Sequence, residues 1–174
     1  MNRRVKRELI SWTKTMILAL VLAGIINNVL IVNAQIPTES MENTIMAGDR
    51  VVALRTSYWF DRPERGDIVV FRAPDDFEHE TLYVKRVIGV GGDEIYIHDG
   101  NVYLNGEAIV EPYIRNTTDG EFGPYNVPVG SYFMMGDNRN NSLDSRMWRD
   151  QYVEMHEVLG KVVFRYYKGI SVIK

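Results

Sequence analysis

Ser40, Lys85 and the polar stretch Gly136-Asp-Asn-Arg-Asn-Asn-Ser-Leu-Asp-Ser-Arg146 are where this sequence has the means for covalent chemistry. A serine hydroxyl becomes a useful nucleophile only when a neighbouring base removes its proton. A lysine serves as that base if burial disfavours its ammonium form, which lowers a lysine pKa by up to about 3–5 pH units. Lys85 sits in the apolar segment Thr81-Leu-Tyr-Val-Lys-Arg-Val-Ile88, so a neutral amine near pH 7 is chemically reachable. By itself that is weak evidence, since most strand lysines run along a sheet edge with the ammonium in water. The third stretch supplies hydroxyl, carboxylate and guanidinium groups that can hold such a site together, each needing a hydrogen-bonding partner.

These residues need a frame, and the sequence describes one. Strict alternation along Thr81 to Ile88 puts Tyr83, Lys85 and Val87 on one face of a strand and Leu82, Val84, Arg86 and Ile88 on the other. Short β-branched and aromatic segments at Arg50 to Leu54, Asp67 to Arg72, Thr81 to Val90, Glu94 to His98, Asn101 to Leu104 and Lys161 to Tyr167 read as strands, with dense Gly, Pro, Asp and Asn punctuation between them. The turns Asp99-Gly100 and Asn105-Gly106 tolerate positive φ and predict a tight meander over Glu94 to Val110. One short helix is expected around Ser145 to Gln151. The expectation is a mainly β, antiparallel domain.

Before that domain stands an uncharged apolar run of 18 residues, Thr15 to Val32. As a helix it would reach roughly 27 Å, close to the hydrocarbon thickness of a bilayer. Arg3, Arg4, Lys6, Arg7 and Lys14 precede it, opposed by Glu8 alone, so the N-terminus is expected in the cytoplasm and the rest outside. The chain then divides into a basic tail (1–14), a transmembrane signal-anchor helix (15–32) and an extracytoplasmic β domain (33–174). Val32-Asn33-Ala34 offers a small residue where a signal peptide would be cut, but the run exceeds the roughly 7–15 residues of a signal-peptide core, which favours an uncleaved anchor. Fifteen basic and twenty-two acidic residues follow Val32, a net of −7, which argues against a nucleic-acid partner. Cysteine is absent and decides nothing about compartment.

Three segments taken together are similar to one family. Pro37-Thr-Glu-Ser40-Met-Glu-Asn-Thr-Ile45 with Gly48-Asp-Arg-Val51, Tyr83-Val-Lys85-Arg-Val-Ile-Gly-Val-Gly-Gly-Asp93, and Gly136 to Trp148 resemble, in this order and behind an anchor, the signature segments of bacterial type I signal peptidases. The resemblance implies an antiparallel β protease domain of the signal-peptidase/LexA-like type. It implies a membrane-anchored serine endopeptidase that cuts signal peptides from exported preproteins after small residues, of the Ala-X-Ala kind, without a cofactor. Residue by residue, Ser40 matches the nucleophile and Lys85 its general base. Thr38, with the Ser40 N–H, matches the oxyanion hole, and Ser142 the hydroxyl that orients Lys85. Asp144, Arg146 and Arg86 match a supporting ion-pair network, and Ile36, Met41, Ile45, Tyr83 and Val84 the walls for small substrate side chains. The implied partners are signal peptides and membrane lipid, and the implied state is a monomer. The sequence departs from the family pattern at Glu39 and Arg149, where glycine is usual, and at Asn43 and Gly91 or its neighbour, where proline is usual.

Two other functions share some of these features. A self-cleaving Ser/Lys repressor of the LexA type would carry a helix-turn-helix and an Ala-Gly cleavage site ahead of its serine, where this chain has the apolar run. A catalytically silent, anchored binding module for exported chains would look the same in sequence and differ only in activity. The acidic stretch Asp75-Asp-Phe-Glu-His-Glu80 reads as a solvated loop rather than a metal site, having one histidine and no second ligand motif.

Overall fold

The computed structural model describes residues 3–74, 81–166 and 169–173. It begins with a helix, α1 (Arg3–Ile25), which continues as a π-helical turn over Ile26–Leu30. The helix buries none of its residues and, through Leu30, is long and apolar enough to cross a membrane. The boundary differs from the expected Val32. Ile31 and Val32 already belong to β1 (Ile31–Gln35), paired with Leu54 and Ala53 of β2 (Arg50–Leu54). The alternation of Ile31, Val32, Asn33 and Ala34 suits a half-buried strand. Val32 and Ala34 face the core, and the ladder with β2 replaces further helix.

Among the described residues most of the regular structure that follows is antiparallel β strand. One sheet runs in the order β1-β2-β11-β3-β4-β9-β10, where β3 is Ile68–Arg72, β4 Leu82–Val90, β9 Ser131–Met135, β10 Val153–Glu154 and β11 Val158–Tyr166, with β12 (Ser171–Val172) added beside β11. The second sheet is β7-β6-β5-β8, made of β5 (Glu94–His98), β6 (Asn101–Leu104), β7 (Glu107–Ala108) and β8 (Phe122–Asn126). The expected meander is its centre. Asp99 and Gly100, then Asn105 and Gly106, all take positive φ, which is what two-residue hairpin turns matched to the strand twist require.

Strand β4 is the axis of the molecule. It lies between β3 and β9, with Lys85 opposite Val69 and Arg86 opposite both Ile68 and Met135. Its alternation serves different cores: Tyr83 and Val87 pack with Phe71, Met134 and Trp148, Val84 with Met41, Ile45 and Val70, and Ile88 with the small sheet. The helix expected over Ser145 to Gln151 is absent. That stretch makes a single turn, in which the Met147 and Trp148 N–H groups both donate to the Asp144 carbonyl, because Trp148 is drawn into the core against Phe71 and Tyr83. Tyr167, expected to end the last strand, and the acidic stretch 75–80 lie outside the described residues.

Candidate active site

Ser40 lies on an excursion between β1 and β2. The ladder closes behind it, with Ile36 N–H donating to Asp49 O and Gly48 N–H to Ile36 O, so residues 37–47 form a compact loop. Within it, Thr44 and Ile45 N–H donate to Met41 O, and Met41 and Ile45 are fully buried. Anchoring those two side chains in the core holds the loop in place and fixes the direction of Ser40 next to Met41. Asn43 takes φ 91, in the left-handed region, and its amide donates to Tyr113 O at 2.8 Å. Proline, with φ held near −65°, has no place in this form of the loop.

A cleft of about 590 Å³ opens over Ser40. One wall is the end of β1 with Pro37 to Met41. A second is Thr81 to Lys85, and the third is the turn Asn140 to Leu143. Ser40, Lys85, Thr38 and Ser142 all line it, although they are spread over more than a hundred residues of sequence. The Thr38 and Ser40 hydroxyl oxygens are 3.2 Å apart. Ser142 Oγ is buried without a hydrogen-bond partner, so it has a donor and lone pairs to offer. Lys85 is 4% exposed. Burial pushes its ammonium down to about 8, Asp144 partly counters this, and Arg146 adds to it.

Ile36, Tyr83 and Val84 line the cleft with Leu82 and Leu143, and Met41 lines it although its side chain is fully buried. Ile45 does not. It is fully buried beneath the loop, packed with Val51, Ile68 and Val84, and holds the loop up instead of forming a wall.

The supporting ion pairs are arranged differently from the expected single network of Asp144, Arg146 and Arg86. Arg146 pairs with Asp144, Nε on Oδ1 and Nη2 on Oδ2, both at 2.8 Å, and Asp144 Oδ2 also accepts the Gly136 N–H. Arg86 takes a different carboxylate: Nε and Nη2 donate to the two oxygens of Asp137 at 2.8 and 2.7 Å, and Nη1 donates to Gly66 O. Asp137 further accepts the Thr44 hydroxyl, which ties the nucleophile loop to β4. A third buried pair, Arg139 with Glu111, holds the outer side of the turn, and Arg139 Nε donates to Gly136 O. Asp137, Arg139 and Glu111 were not singled out from sequence. Asp137 and Arg139 lie inside the polar stretch Gly136 to Arg146, but Glu111 belongs to a segment without motif.

The polar turn is stapled directly to the nucleophile loop. Asn138 N–H donates to Ser40 O, and the Asn138 and Asn141 side-chain amides donate to Glu39 O and to the Glu39 carboxylate. Gly136 permits this contact, because any Cβ there would collide with Ser142 Oγ and Ser40 O. Among the described residues no group of three or more His, Cys, Asp or Glu is placed so that it could hold a metal ion.

Residues 9–167 match the family described as signal peptidase, peptidase S26. The chain belongs to that family. A probable signal peptidase I-2 of Synechocystis is 40% identical over 157 residues, covering 88% of this chain and 71% of the relative. A signal peptidase I of Bacillus licheniformis is 38% identical over 151 residues, covering 81% of this chain and 80% of its own. A crystallised signal peptidase I from Enterococcus faecalis aligns with 58% of this chain and 97% of its own at 28% identity, with a TM-score of 0.47. Membership in the signal peptidase family makes the chain a serine peptidase, a hydrolase, and its exposed apolar helix fits a membrane anchor.

Proposed function

We propose that this chain is a membrane-anchored endopeptidase that removes N-terminal signal peptides from exported preproteins after small residues, using Ser40 and Lys85 and no cofactor. The observation that carries the reading is the pairing of a buried serine and a buried lysine on one cleft, with the lysine pushed down to about 8 by desolvation. At pH 7 roughly a tenth of such a lysine is neutral, against fewer than about one in a thousand at the ordinary value. Neutral Lys85 takes the Ser40 proton as the oxygen attacks the carbonyl before the scissile bond. The Ser40 N–H and the Thr38 hydroxyl receive the oxyanion, and the Lys85 ammonium returns its proton to the leaving amine. Water, activated by the same amine, then hydrolyses the acyl-serine. Ser142, with its uncommitted hydroxyl, orients Lys85.

Ile36, Tyr83, Val84, Leu82 and Leu143 give the cleft apolar walls, which suit alanine-sized side chains and crowd larger ones. The five basic residues that precede the apolar run favour a cytoplasmic N-terminus, with the β domain on the outer face beside membrane lipid.

The test is incubation of the detergent-solubilised full chain with a preprotein whose signal ends in Ala-X-Ala, from about pH 5 to 10. Cut product should appear at the end of the signal, kcat/KM should climb through pH 8, and Ser40→Ala should yield none. Cleavage by Ser40→Ala, or a rate that falls from acid to neutral pH, would overturn the assignment.

A further inference from the structure

Glu39 is the one charged side chain among the described cleft-lining residues that the peptidase chemistry leaves without a task. It stands between Thr38 and Ser40, so its backbone is within one residue of both proposed oxyanion donors. Its side chain is exposed, and among the described residues its carboxylate accepts one hydrogen bond, from Asn141 Nδ2 at 3.1 Å. A carboxylate accepts about four hydrogen bonds, so it retains capacity for another donor. Among the described lining residues, Glu39 and Lys85 are the charged ones. In the reactive form Lys85 is neutral, and Glu39 then sets the sign of the potential at the rim. Glu39 is not among the charges that act on Lys85, which are Asp144, Arg146 and Asp137, so its effect is felt in the cleft and not through the base.

Its orientation gives the subsite. On the peptidase reading, residues before the scissile bond would lie along the apolar walls that Ile36 of the β1 end and Leu82 to Val84 of β4 provide. The leaving amine must depart past Lys85, which protonates it, and past Ser142, and therefore along the turn Asn140 to Leu143. The Asn141 amide holds the Glu39 carboxylate toward that same turn. We propose, resting on the peptidase reading above, that Glu39 is a specificity residue that reads charge on the first two residues after the scissile bond, favouring Lys or Arg there and disfavouring Asp or Glu. Exposed ion pairs are weak and salt-sensitive, so the preference should be several-fold and not absolute.

The experiment uses the detergent-solubilised full chain and peptides that are identical through Ala-X-Ala and carry Lys, Gln or Glu at the first or second following position. The wild type should show a Lys-to-Glu ratio of kcat/KM of about five at low salt, shrinking toward one at high salt. Glu39→Gln, which keeps an acceptor for Asn141, should bring the ratio near one at any salt, and Glu39→Lys should invert it. A wild-type ratio near one, or the same ratio in Glu39→Gln, with cleavage still abolished in Ser40→Ala, overturns the role of Glu39 and leaves the peptidase reading standing. Cleavage that persists in Ser40→Ala overturns both.

Discussion

Lys85 and Arg86 are neighbours on β4, each 4% exposed, and the protein treats them in opposite ways. Arg86 is matched at every end: it donates two hydrogen bonds to Asp137 and one to Gly66 O, and the Tyr113 ring lies 3.8 Å from its guanidinium carbon. Among the described residues Lys85 makes no salt bridge; it stands 5.9 Å from the Tyr83 ring and lines the same cleft as the buried, unpartnered Ser142 hydroxyl. Burial of a charge is tolerable when it is compensated and otherwise drives the group to neutrality. The matched residue holds the loops together, whereas the unmatched one retains the freedom to lose and regain a proton. The difference between the faces of one strand is thus a difference between architecture and chemistry.

The comparison breaks most visibly in activity. Lys85→Ala should lower kcat by roughly a thousandfold or more, and Ser40→Ala should lower it as far, while the double variant is no worse than either, because nucleophile and base act as one unit. Single-turnover cleavage of the Ala-X-Ala preprotein measures this. Losses that multiply would show that the two side chains act independently.

The opposite face should break in stability. Asp137→Ala leaves the Arg86 guanidinium buried without its counter-charge, and removing one partner of such a pair costs about 3–5 kcal/mol. Replacing both partners, Arg86→Met with Asp137→Leu, should recover most of that loss, since a well-packed apolar pair does not need compensation. Denaturant unfolding in detergent reads both values. A single variant as stable as the double would mean that Arg86 reaches water when Asp137 is gone.

How far this contrast was legible in the sequence follows from what each feature depends on. Lys85 was readable because strand alternation and apolar neighbours are local, and the hairpins of the small sheet because Asp-Gly and Asn-Gly announce their own φ values. The partner of Arg86 was misjudged because Asp144 and Arg146 stand close together in sequence while the choice of Asp137 is made by the register of β4 against β9. Strand β9 gave no strand signal, since all five of its residues are buried and show no alternation. Strand β8 was hidden by Gly123 and Pro124, residues that ordinarily speak against a strand. Glu111 could be recognised as a support only once Arg139 was seen buried against it.

The finest consequence of an unmatched lysine is a cost that varies with pH. Lys85 falls from 10.5 to about 8 on folding, which corresponds to about 3 kcal/mol of penalty whenever the ammonium must stay inside the fold. Below pH 8 both folded and unfolded chains carry the proton, so the penalty is fully present. Between pH 8 and 10.5 the unfolded chain holds the proton that the folded one has released, and stability therefore rises with pH across that window. Lys85→Met, similar in length and never charged, should be more stable than the wild type at pH 7 by up to about 3 kcal/mol, although it has lost activity. The advantage should shrink steadily above pH 8 and be nearly gone by 10.5. Taking the difference between the two proteins removes the tyrosines and every other group that titrates in the same range. A constant difference across the window would mean that Lys85 finds water or a carboxylate in solution, and the asymmetry between the two faces of β4 would then lose its physical cause.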